Sequence, residues 1–137
     1  MATTEAPSYR RVALEQMRAE GMTAGQIRHS GTYHSFGIRD GHGIVFVSHT
    51  GEICPAGFLP LVTGNVRQDS LVDIYRNAPV FQALHDPTQF EGRCGVCHYH
   101  MLCGGSRSRA FEATGNALAS DPLCTRVDAQ GNPLHMM

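Results

Sequence analysis

The sequence contains no lysine: all eleven of its basic residues are arginine. Codon bias in a GC-rich genome is preferred as the reason to arginine chosen for bidentate anion binding. Twelve acidic residues bring the formal net charge to -1, so there is no electrostatic case for binding nucleic acid or an anionic membrane surface. No apolar run approaches the ~20 residues of a membrane helix. Met1 to Tyr9 lacks the charged-then-apolar pattern of a secretory signal, and a cytoplasmic location is expected. There is no internal repeat and no Ser-His-Asp or Cys-His arrangement that supports nucleophilic catalysis. Gly41-His42-Gly43 is too short for a nucleotide-binding loop.

What is present suits one globular domain. The chain has 137 residues, which the length prior reads as one unit able to bury a core. Its 42% hydrophobic content is too high for a disordered chain. Residues 8–20 read as a helix capped by Ser8, with Tyr9, Val12, Ala13 and Met17 at helical spacing and Gly21 at its end. Residues 22–42 read as a connector. Ile44–Val47 and Glu52-Ile53 form a hairpin around His49-Thr50-Gly51. Residues 55–68 read as loop. Ser70 and Asp73 open a helix carrying Leu71, Ile74 and Tyr75. Pro79 starts another with Val80, Phe81 and Leu84, and Asp86-Pro87 ends it. Arg107 to Ala113 reads as a last helix stopped at Gly115. The expected fold class is α+β: a hairpin, short helices and a cysteine-rich loop region.

The five cysteines carry the chemistry. Cys94, Cys97 and Cys103 form C-x2-C-x5-C, and Cys124 follows twenty-one residues after Cys103. In a reducing compartment such a cluster reads as metal-binding before it reads as disulfides. The C-x2-C pair turns two thiolates toward one centre, and Cys103 and Cys124 close a set of four. Four thiolates suit a [4Fe–4S] cluster or a structural zinc. Zinc remains the alternative, although its sites usually pair two C-x2-4-C knuckles, which x5 and a lone fourth cysteine match poorly. Cys94 to His98 also fits the C-x2-C-H haem-attachment pattern. That reading is set aside, because two further cysteines need a role and no export signal is seen. His98 and His100 read as solvated loop residues. Cys54 reads first as a small hydrophobe on a strand, with an extra thiol ligand as the alternative. Gly104 and Gly105 admit backbone N–H groups close to cluster sulfurs or simply turn the chain into the next helix. Arg107 and Arg109 read as a solvated helix face in preference to an anion site.

The order of Gly51-Glu52-Ile53-Cys54-Pro55, Gly64-Asn65-Val66-Arg67, Ser70–Tyr75, C-x2-C-x5-C-Gly-Gly and a late cysteine resembles the SPASM domain. SPASM domains are the C-terminal auxiliary-cluster modules of radical S-adenosylmethionine (SAM) enzymes. The resemblance spans roughly residues 43–124. Thr3 through Arg11 also resembles the end of the catalytic barrel in a branch near alternative haem-synthesis and peptide-maturation enzymes. The domain reading is therefore a barrel-end remnant, helix and connector over 1–42, the SPASM-like cluster domain over 43–124, and a flexible tail over 125–137.

The resemblance implies a [4Fe–4S] cluster on Cys94, Cys97, Cys103 and Cys124. It also implies a second cluster, with ligands around the hairpin and four residues after Cys103. Here Arg107 occupies that last position, Ala56 stands near the hairpin position with Cys54 two residues off, and no cysteine precedes the hairpin. One cluster is expected. The C-x3-C-x2-C motif for SAM cleavage is absent, and 137 residues leave no room for the barrel. The expected role is an accessory cluster in electron transfer or structural support. SAM and a peptide or tetrapyrrole substrate would belong to a barrel in the same longer chain or in a separate partner. A small electron carrier acting alone is a third reading.

Overall fold

The computed structural model describes residues 6–34 and 38–126. Helix α1 runs Tyr9–Ala19 and ends as the glycine predicts. Gly21 takes φ +83, its N–H reaches the carbonyl of Arg18 and that of Met22 the carbonyl of Met17, the paired bonds of a Schellman stop. The start differs from expectation. Ser8 is itself helical and its side chain caps nothing. The buried face differs too: α1 buries Arg11 and Leu14, whereas Tyr9 and Val12 are 40% and 48% exposed. Polar docking onto the cysteine region, described below, sets that face in place of the apolar stripe.

The expected connector contains two helices, α2 (Ala24–Arg28) and α3 (Gly31–His34). Thr23 and Gln26 close a reciprocal capping box, a signal present in the sequence and overlooked. Ile27 is buried from α2.

The predicted hairpin is present as β1 (Phe46–Val47) and β2 (Glu52–Cys54), with Phe46 opposite Cys54 and Val47 opposite Ile53. A third strand, β3 (Gly64–Asn65), lies in the segment expected to be loop and pairs antiparallel with Glu52 and Ile53. Its residues carry no strand propensity, and the pairing is imposed from outside. Asn65 donates its side-chain amide to the Thr50 carbonyl, and its own N–H to the Asp69 carboxylate. A Cβ on Gly64 would press on Asp69 and Ile74, so glycine permits the approach.

Helices α4 (Leu71–Asn77) and α5 (Pro79–His85) follow the sequence reading, with Ser70 accepting from the Asp73 N–H at 3.3 Å. A 3-10 turn over Pro87–Gln89 then leads to α6 (Gly92–Val96). Helix α7 (Arg107–Thr114) stops at Gly115, which takes φ +75. The apolar core gathers Ala56, Leu59, Leu84 and Ala117, with Val80 and Phe111 against it. Gly41 packs directly on Leu84 and Pro55 with its N–H bonded to the Pro55 carbonyl, so Gly41-His42-Gly43 is a tight structural turn. Among the described residues no helix is long and apolar enough to cross a membrane. Together the seven helices and the three-stranded antiparallel sheet of the described residues make a small α+β domain. Thr3 to Glu5, within the barrel-end stretch, and 127–137 of the expected tail lie outside the described residues.

Candidate metal centre

Cys94 lies on α6 and is buried, and Cys97 caps the C-terminus of that helix. A C-x2-C pair on one short helical turn brings both side chains to the same side. Gly95, between them, sits so close to the Phe90 carbonyl that a Cβ would collide with it. The chain then folds back, the N–H of Cys103 bonding to the Tyr99 carbonyl at 2.7 Å. Cys124 follows ten residues after the end of α7. All four cysteines line one cavity of about 140 Å³, together with Gly104 and Gly105. Cys54 is buried on β2 and is not among the residues lining that cavity. Burial, then Glu52, raises its thiol pKa. His98 is exposed and His100 half-buried, its Nδ1 3.1 Å from the Gly95 carbonyl.

Backbone N–H groups already point at two of the sulfurs. Gly105 donates to Cys103 Sγ and Tyr99 to Cys97 Sγ, each at 3.4 Å. Gly105 adopts φ +67, and a Cβ there would stand 3.1 Å from Cys94 Sγ and 2.8 Å from Arg107 Nη2. The position therefore requires glycine both for its backbone and for room beside the thiol. Burial pushes the Cys103 thiol up, opposed by the Gly105 N–H and by Arg11. A thiol in this state binds metal by releasing its proton.

Asp121 holds the fourth cysteine's loop in place, a role that spacing did not reveal. Its carboxylate accepts from the Ser106 N–H at 2.8 Å, from Arg109 Nε and Nη2 at 3.1 and 2.7 Å, and from the Leu123 N–H at 3.0 Å. Burial alone would raise the carboxyl, but Arg109 and these N–H groups outweigh it and hold the pKa below its ordinary value. The available signal was Asp121-Pro122, a turn-initiating pair.

The arginines overturn the solvated-face expectation. Arg107 is 0% exposed. Its Nη1 donates to the carbonyls of Ala117 and Ala119 at 3.0 and 2.6 Å, its Nη2 lies 3.3 Å from Cys94 Sγ, and its guanidinium sits 4.4 Å from the centre of the Phe90 ring. Arg39, 5% exposed, lies 5.5 Å from the same ring. Burial and the neighbouring Arg107 push it down to about 10, with Cys103 opposing. Arg109 is tied to Asp121. Among the described residues, neither Arg39 nor Arg107 has a carboxylate within salt-bridge distance. The first helix joins the same region. Arg11 and Arg126 both pair with Glu15, and Arg18 donates to the Tyr99 hydroxyl at 2.7 Å.

No family model matches the chain. It is 38% identical over 124 residues to an AdoMet-dependent heme synthase of Methanosarcina barkeri, a match covering 90% of this chain and 36% of that protein. An AdoMet-dependent heme synthase of Oleidesulfovibrio alaskensis is 36% identical over 125 residues, with 91% and 32% covered. A PqqA peptide cyclase of Methylocella silvestris is 34% identical over 83 residues, with 57% and 22% covered. The chain thus spans about a third of the length of the heme synthases it matches. These relatives are radical SAM enzymes, and the chain is related to them over a part of their length.

Proposed function

We propose that this chain is an accessory [4Fe–4S]-binding module of a radical SAM enzyme, held by Cys94, Cys97, Cys103 and Cys124. The observation that carries the reading is one cavity lined by all four thiols, beside two buried guanidiniums that have no carboxylate partner among the described residues. Burying a cation without a counter-charge is costly, and a thiolate-bound cluster is anionic. Among the described residues no three His, Cys, Asp or Glu side chains converge closely enough to share one ion. Tetrahedral zinc, with Zn–S bonds of about 2.3 Å, needs closer convergence than a polynuclear cluster does.

When bound, such a cluster supplies a one-electron redox centre. Four cysteines leave no iron corner for substrate, so the module serves electron transfer or structural support. Gly105 and Tyr99 would hold the sulfurs by N–H donation, and Asp121 would hold Cys124's loop against α7. SAM would be bound by a barrel in the same longer chain or in a partner protein. The heme synthase matches cover 90% and 91% of the chain and the peptide cyclase matches 57% to 69%, which favours a tetrapyrrole over a peptide as substrate of the assembled enzyme. A cytoplasmic setting, where thiols stay reduced, fits this chemistry.

Anaerobic purification with iron and sulfide analysis tests the proposal. About four irons and four sulfides per chain are expected, with a broad visible absorption that dithionite bleaches and that Cys97→Ala abolishes. One zinc per chain, with no sulfide and no colour even after reconstitution, would make the module a structural zinc site.

A further inference from the structure

Arg107 is the feature that the ligand set alone does not explain. Arginine is rarely buried unless paired, yet this guanidinium is 0% exposed. Two of its N–H groups are spent on the carbonyls of Ala117 and Ala119. Those bonds satisfy donors but neutralise no charge. Its face lies on Phe90, a cation–π contact of modest strength. Among the described residues its remaining polar contact is Nη2 with Cys94 Sγ at 3.3 Å, and its Nε has no partner. The backbone makes room for this contact, since a Cβ at Gly105 would crowd both partners, at 2.8 Å from Nη2 and 3.1 Å from the sulfur. A neutral thiol is a weak acceptor. A guanidinium aimed at it is well matched only when the sulfur carries negative charge, as a metal-bound thiolate does.

We propose that Arg107 is a positioning residue that donates a charge-assisted hydrogen bond to the Cys94 thiolate and thereby raises the reduction potential of the cluster. This rests on the cluster assignment above. One-electron reduction adds one negative charge to the site. A fixed cation against a ligand sulfur, in a water-poor surrounding, stabilises the reduced state more than the oxidised one. Arg39, held at the same ring and beside Gly104, adds a second positive charge, but its Nη2 donates to the Leu84 carbonyl, so its influence is smaller. An arginine that only tied α7 to residues 117–119 would leave the potential unchanged once the protein had folded.

The test is a redox titration of the reconstituted chain by EPR, wild type against Arg107→Gln and Arg107→Lys. In R107Q with full iron and sulfide, the reduced-to-oxidised ratio at a fixed potential should fall at least tenfold, about 59 mV for one electron. R107K, which keeps charge and loses the fork, should fall between. Arg39→Gln should shift in the same direction by less. An unchanged midpoint in fully loaded R107Q would overturn the proposal while the cluster assignment stands. Failure of the wild type to take up iron and sulfide would instead remove the assignment itself. Should R107Q and R107K not load, the wild type labelled with guanidino-15N arginine decides. The reduced cluster should show a pulsed-EPR coupling to side-chain nitrogen, and its absence would overturn the proposal.

Discussion

The hairpin side and the cysteine side of this domain are buried by different means. Around β2 and α5 the interior is hydrocarbon: Ile53, Leu59, Phe81 and Leu84 are all at or below 1% exposure. Around α6 and the start of α7 the most deeply buried polar side chains are Arg107 and Asp121, with Arg39 close behind, beside the thiol of Cys94. The first side lowers its free energy by removing apolar surface from water and needs nothing else. The second side places cations, thiols and positive-φ glycines around a cavity, an arrangement that becomes favourable when an anionic group occupies it. The difference implies that the two sides respond separately to loss of the proposed cluster and to loss of packing.

Removing the metal, or making Cys97→Ala, should produce the largest effect. Metal–thiolate binding supplies on the order of 10 kcal/mol, against a typical domain stability of about 5–15 kcal/mol. Amide exchange protection is expected to collapse over residues 90–124 and to persist in β2 and α5. Native-like protection in 90–124 without metal would erase the contrast. The converse experiment is Leu59→Ala, which should cost about 2–5 kcal/mol and leave iron content per folded molecule unchanged. A fall in iron stoichiometry would mean that the two sides are one cooperative unit.

A smaller effect is expected from Asp121→Asn, which weakens the link between Cys124's loop and α7. The loss should be about 1–3 kcal/mol in denaturant titration. Because the folded carboxyl titrates below its ordinary value, its contribution is complete above an unfolded pKa of about 3.9 and disappears as pH falls through the folded value. Wild type and D121N should therefore converge in acid; a difference that stays constant with pH would assign the cost to packing. The smallest effect, about 1 kcal/mol, should follow Thr23→Ala at the capping box. Faster exchange confined to α2 is expected, and slowed iron uptake would show instead that α2 supports the metal region.

Much of this was readable in the sequence because it is local. Ser70 caps α4 through the Asp73 N–H three residues away. Gly21 and Gly115 end helices with their own backbone conformation. Gly51 closes the hairpin turn, its N–H on the Ser48 carbonyl. The candidate ligands followed from cysteine spacing alone. The Thr23–Gln26 capping box was equally local and was missed only because the stretch around it is rich in Gly, His, Ser and Thr. β3 is a different case: Gly64 and Asn65 have no strand preference, and partners at Thr50 and Asp69 place them.

The sequence by itself determined the ends of α1 and α7, the start of α4, the hairpin and the four-cysteine pattern, since each depends on residues only a few positions apart or on a thiol's own chemistry. Only the tertiary structure decided that α1 would dock through Arg11 and Arg18 instead of its apolar stripe, and that Asp121 would hold Ser106 and Arg109. It also decided that Arg107 would be buried against Cys94 while Arg109, two residues on, stayed partly exposed. An arginine has no intrinsic preference for sulfur, carbonyl or water. Its place is set by partners ten or more residues away, and they meet only once the chain has folded.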